Sequence, residues 1–169
     1  LVIASEEIVS SLFGYGSFSK EDTQMTAAAL KYFGYGVPAF ALIKVLSNFF
    51  FARDNTKTPF YISLFIVVIN VLISVSLFSR LGFLIIPIAT SISTWLGVFA
   101  YLYLLEQKSY LLIKIELIKN SCKIMISTLV MSFILIFTLE AFSNSLNYMN
   151  NYKAVYLISI ISFVGFIYL

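Results

Sequence analysis

Apolar positions along the 169 residues gather in long unbroken runs, without the strict alternation of a half-buried strand. The runs lie at about 32–52, 59–79, 83–105, 124–142 and 154–169, and a shorter one, 1–13, carries Glu6 and Glu7. Most match the ~20 residues an α-helix needs to cross the hydrocarbon core of a bilayer. The last has 16 residues and, like the first, stops without a flanking charge, so both ends are expected to be truncations of a longer chain. An open sheet edge cannot be satisfied in lipid, and a barrel strand would alternate, which leaves helices. The pattern predicts an all-α integral membrane protein: a polytopic bundle of five transmembrane helices preceded by a helix end.

Residue chemistry places some helix ends. Ser19-Lys20-Glu21-Asp22 has the form of a capping box and predicts a helix start there. Gly34, Gly36 and Pro38 fall close together downstream, and Pro38 lacks a backbone donor, which predicts a kink. Thr58 is the expected N-cap of the 59–79 helix, with Pro59 at its first position.

Composition sharpens this picture. Hydrophobic residues make up 60% and charged residues 11%, with 17 Phe and 11 Tyr, more apolar surface than a soluble core of this size could hide. Mean hydropathy is +0.96. There is no His and a single Cys, Cys122, which removes most transition-metal sites, His-dependent nucleophilic sites and any internal disulfide. The net charge of +3 is spread along apolar helices, so it is an orientation signal and no sign of a nucleic-acid partner. Loops 53–58 and 106–123 together hold Arg53, Lys57, Lys108, Lys114, Lys119 and Lys123, against Lys20, Lys31, Arg80 and Lys153 on the other side. The first side is expected to be cytoplasmic.

Few residues offer chemistry. Arg53-Asp54-Asn55-Thr56-Lys57 is a polar hinge between two apolar helices, either a plain capped connection or a charged gate between rocking bundles. Lys44 is a basic residue inside an apolar span, where an ammonium costs at least ~2.5 kcal/mol. It either snorkels about 13 Å toward Arg53 and the headgroups or faces a hydrated cavity and attracts an anionic group. Asn70, Ser63, Ser74 and Ser76 are expected to bond between helices, and Ala89, Ser93 and Gly97 form a small-residue stripe for close packing. Trp95, Tyr101 and Tyr103 are expected to face lipid or the interface. Residues 106–123 mix Lys with Leu and Ile and suit a linker at an anionic membrane surface, and 143–153 is an expected exposed loop. The resulting division is 1–105, 106–123 and 124–169.

The succession Ser11-Leu12-Phe13-Gly14-Tyr15-Gly16-Ser17-Phe18, then Ala29-Leu30, Ile43-Lys44-Val45-Leu46 and Phe50-Phe51-Ala52-Arg53-Asp54-Asn55-Thr56-Lys57-Thr58-Pro59 resembles the MurJ/MviN lipid II flippase family. Beyond residue 60 the resemblance rests on helix order, including the two extra C-terminal helices of that branch. It implies that 1–105 is part of the C-terminal bundle of a two-bundle transporter of the multidrug/oligosaccharidyl-lipid/polysaccharide exporter superfamily. It also implies a bacterial inner-membrane protein, no enzyme, moving an undecaprenyl-diphosphate-linked peptidoglycan precursor by alternating access. The implied partners are that lipid-linked oligosaccharide and membrane lipids, with no cofactor or metal and the coupling ion left open. On the matching motif, Lys44 becomes a candidate substrate contact, and Arg53, Asp54 and Lys57 become candidates for a cytoplasmic gate. The family's main cavity residues lie upstream of this chain. The alternatives are a drug/cation antiporter or polysaccharide-lipid exporter of the same superfamily, which would leave the fold unchanged, and a structural subunit or lipid-modifying enzyme. The enzyme would need a catalytic constellation that Glu6, Glu7, Glu140 and Cys122 do not make.

Overall fold

The computed structural model describes residues 1–108, 115–142 and 152–168, and among them there are helices and no strand. In chain order these are α1 (Ser5–Phe13), α2 (Lys20–Phe51), α3 (Lys57–Leu81), a short 3-10 turn (Gly82–Leu84), α4 (Ile85–Gln107), α5 (Ile115–Ala141) and α6 (Lys153–Tyr168). Helices cover the expected stub and all five expected apolar runs, and the protein is a multi-pass helical membrane protein. Apolar stretches of spanning length cover Lys20–Phe51, Lys57–Gln107 and Lys119–Ala141. The middle one is 51 residues long but folds back at the 3-10 turn, giving α3 and α4, of 25 and 23 residues, each long enough to cross on its own.

The predicted capping box starts α2. Ser19 Oγ accepts from the Asp22 N–H at 3.0 Å, Asp22 Oδ2 accepts from the Ser19 N–H at 3.0 Å, and the Ser19 hydroxyl donates to the same oxygen at 2.7 Å. At 32 residues α2 is about 48 Å long, more than a bilayer core requires, so this turn stands outside the hydrocarbon. The Ser19 hydrogen bonds, side chain first and backbone second, hold the Asp22 carboxyl below its ordinary pKa. Pro38 does not end α2, which continues through it.

The chain packs as two compact units: residues 29–112, and residues 1–28 with 113–169. The three-part division expected from the sequence follows chain order, whereas these units follow packing. Within 29–112, α3 and α4 run antiparallel as a hairpin. Gly82, with φ +57°, makes the corner, a conformation that costs a side chain more than it costs glycine. The core of this unit holds Ala39, Leu46 and Phe50 of α2, Ile62 of α3, and Val98, Tyr101 and Leu105 of α4. The small-residue stripe does what its spacing implies: Ala89 and Ser93 are fully buried, and a Cβ at Gly97 would run into the end of Ile66.

Two aromatics depart from their expected lipid-facing places. Tyr101 is 1% exposed, its ring tilted 5.8 Å from that of Phe50, and the Trp95 indole N–H donates to the Tyr35 carbonyl at 3.0 Å. Only Tyr103, 66% exposed, sits as expected. Both departures have one cause: α2 lies against that face of α4, where the half-buried Trp95 finds a carbonyl for its N–H and the buried Tyr101 ring finds an aromatic partner.

In the other unit Ala4 of α1, Leu139 of α5, and Leu157, Ile160 and Val164 of α6 form the core. The helix expected at 124–142 begins earlier, at Ile115, so the last residues of the anticipated linker are helical. Residues 106 and 107 of that linker end α4, while 109–114 and most of the anticipated 143–153 loop lie outside the described residues.

Candidate functional site

The turn between α2 and α3 is built from its own sequence. At the end of α2 the Asn55 N–H reaches back to the Phe50 carbonyl and the Asp54 N–H to the Phe51 carbonyl, both at 3.0 Å. This double closure needs a left-handed residue at its corner, and Asp54 supplies it with φ +54°. Arg53 Nη1 donates to the Phe49 carbonyl at 2.8 Å, placing a guanidinium on the negative end of the helix dipole. The next helix is capped at once, but not by the expected residue. Asn55 Oδ1 accepts from the Thr58 N–H at 3.1 Å while its amide donates to Thr58 Oγ1 at 2.9 Å, so Thr58 receives the cap and α3 begins at Lys57. Asparagine supplies an acceptor and a donor together, which lets it satisfy backbone and hydroxyl in one contact.

The structure therefore brings Arg53, Asp54 and Lys57 together in one tight, exposed turn. Lys44 stands apart from them, nine residues earlier on α2. Its side chain is exposed on the face turned away from the α2–α4 core, and its carbonyl accepts from Ser47 Oγ at 3.0 Å.

A second polar group lies between α3 and α4. Asn70 Nδ2 donates to Thr90 Oγ1 at 2.9 Å and approaches Ser93 Oγ at 3.4 Å, while Ser74 Oγ donates to Asn70 Oδ1 at 3.4 Å. The interhelix role expected for Asn70 is observed; Ser74 instead bonds back to Asn70 within α3, and Ser63 and Ser76 are exposed.

Against known proteins, the profile of the family described as lipid II flippase MurJ matches residues 1–157. The chain belongs to that family. A probable lipid II flippase MurJ of Rickettsia prowazekii (strain Madrid E) is 38% identical over 95 residues, 56% of this chain and 19% of that protein. One from Buchnera aphidicola subsp. Schizaphis graminum (strain Sg) is 29% identical over 170 residues, 100% of this chain and 33% of the relative. The chain thus spans between a fifth and a third of the length of these two relatives. A solved structure of lipid II flippase MurJ in an inward closed conformation shares the fold, with a TM-score of 0.77 at 24% identity over 99% of this chain and 33% of that one.

One residue of this MurJ-family chain was missed by sequence reasoning, which placed it in an exposed loop. Lys153 is fully buried at the start of α6, its Nζ donates to the Gly14 carbonyl at 2.7 Å, and it lies 4.4 Å from the centre of the Tyr15 ring. Gly14 is the C-cap of α1, so the ammonium closes the negative end of one helix while starting another. The signal was present: a cation in the first turn of a helix opposes that helix's own dipole and calls for an acceptor elsewhere.

Proposed function

We propose that this chain is the segment of a lipid flippase that helps carry a diphosphate-linked peptidoglycan precursor across the bacterial inner membrane by alternating access, breaking no covalent bond. The family match over residues 1–157 carries this reading. In it, Lys44 contributes a cation to a hydrated cavity, where an exposed ammonium on an apolar helix attracts the substrate diphosphate. The turn holding Arg53, Asp54 and Lys57 lies on the cytoplasmic side and presents its charges as a gate. Because its backbone is already closed by local bonds, it would move as a rigid element and not by unfolding.

The test uses the full-length protein in vesicles loaded with the lipid-linked precursor. Translocation of unaltered lipid is expected. Lys44→Met should lower the rate about tenfold at equal protein level, the loss of one charge-assisted contact, while Lys44→Arg keeps the charge and retains most of the activity. A chemically altered lipid would identify an enzyme, ion-coupled drug uptake an antiporter, and an undiminished rate in Lys44→Met would remove that residue from the site.

A further inference from the structure

Residues 34–38 are, by composition, the weakest stretch of α2. Gly34 and Gly36 give a helix interior little intrinsic stability, and Pro38 removes the N–H that would bond the Gly34 carbonyl while crowding it with its ring. Such a stretch bends unless something defines its angle.

Two side chains of α4 reach this stretch. Ser91 Oγ donates to the Tyr32 carbonyl at 2.6 Å, and the Trp95 indole N–H donates to the Tyr35 carbonyl at 3.0 Å. The donors are four residues apart on one face of α4, and the acceptors three apart on α2, just before the proline. In a regular helix these carbonyls bond the N–H groups of Gly36 and Ala39. A second donor is best accommodated when the carbonyl tilts away from the axis, as it does on a bent helix. The approach is close: a Cβ on Gly36 would stand 2.7 Å from Ser91 Oγ and 3.2 Å from Ser91 Cα. Beside the contact, an apolar groove of about 400 Å³, lined in part by Tyr32, Tyr35, Ile92 and Phe99, leaves α2 room to move against α4.

We propose that residues 34–38 are a hinge in α2 whose angle is set from α4, by Ser91 and Trp95 acting on the carbonyls of Tyr32 and Tyr35. Both are positioning residues: they fix the direction of the part of α2 that carries Lys44 and leads into the 52–56 turn. The plainer account is that two polar groups simply find acceptors within reach, in which case removing them leaves the path of α2 unchanged.

The experiment measures the path directly and does not depend on transport, so it stands whether or not the flippase reading does. Spin labels at Lys31→Cys and Asn48→Cys, both exposed, are placed on an otherwise cysteine-free full-length protein in nanodiscs. A straight helix would separate these positions by about 25 Å. The parent protein should give one narrow distance, and the Ser91→Ala/Trp95→Phe double variant a distribution about twice as wide, as expected of an unrestrained proline bend. Each single variant, which keeps more of the packing, should lie between the two. Adding Pro38→Ala to the double variant should narrow the distribution again, near the straight-helix value. An unchanged distance and width in the single and double variants would overturn the proposal.

Discussion

Two of the joints at which this chain brings helix ends together are held in opposite ways. Between α2 and α3, bonds among residues 48–60 close the turn, its charged side chains are exposed, and the longest reach is a few residues. Between α1 and α6, a buried ammonium spans 139 positions of sequence to close the end of another helix. The first joint can form as soon as its own residues are made. The second exists only when distant parts of the chain have already packed, and it keeps a charge out of water to do so. The charges at the first joint are exposed and screened by water, whereas the one at the second is buried among its surroundings.

The largest effect should follow from breaking the buried joint. Lys153→Met keeps the length of the side chain but leaves the Gly14 carbonyl without its charged donor, and should cost about 2 kcal/mol in thermal or denaturant unfolding. Lys57→Met, at the exposed joint, should change stability by no more than about 0.5 kcal/mol. Equal effects would mean that the Lys153 ammonium is hydrated in solution and that the contrast between the joints is false.

A core contact that is neither exposed nor charged should fall between these. Asn70→Ala removes the bonds from α3 to Thr90 and Ser93 and should cost about 1 kcal/mol, because hydrogen bonds between membrane helices are modest when the loosened state also finds partners. The capping box makes a similar local case outside the bilayer. Ser19→Ala should cost about 1 kcal/mol, and it should return the Asp22 carboxyl toward its ordinary pKa, since Ser19 is what lowers it. A depressed folded-state pKa stabilises above the unfolded value and is lost as pH falls through the folded one. The parent should therefore lose this contribution on acidification below the ordinary carboxylate range, and Ser19→Ala should lose less, as followed by a pH series of unfolding midpoints.

The same contrast explains what was legible in the sequence. The helices were, because lipid imposes a length and a composition that few other structures meet; so were the Ser19–Asp22 cap and the Ala89, Ser93, Gly97 stripe, whose partners or spacing lie within a few residues. Thr58 was misassigned within the right turn, since Asn55 and Thr58 are both good caps and only geometry decides which of them accepts the backbone bond. Trp95, Tyr101 and Lys153 were placed wrongly for a different reason. Each is held by a residue far away in the chain, Tyr35, Phe50 and Gly14 respectively, and no local pattern says which face of a helix a distant segment will cover. Of the candidate site, the clustering of Arg53, Asp54 and Lys57 was evident from their adjacency, and the isolation of Lys44 from their separation.

The smallest expected effect tests whether the exposed joint is as self-sufficient as its bonds imply. Asp54 occupies a left-handed position that costs most side chains about 1 kcal/mol, and the bonds it closes come from backbone groups alone. Glycine adopts that conformation without strain but has more freedom to lose on folding, which offsets part of the gain. Asp54→Gly should therefore stabilise the protein slightly, by about 0.5 kcal/mol, and Asp54→Ala should destabilise it by about the same amount, because alanine keeps the strain and lacks the tolerance of aspartate for this region. If unfolding instead shows Asp54→Gly to be less stable than the parent, the carboxylate takes part in something beyond the turn. The exposed joint would then depend on an acidic charge in addition to the Arg53 guanidinium, and the gate role of Asp54 would become measurable as an ion pair by a double-mutant cycle with Arg53 or Lys57.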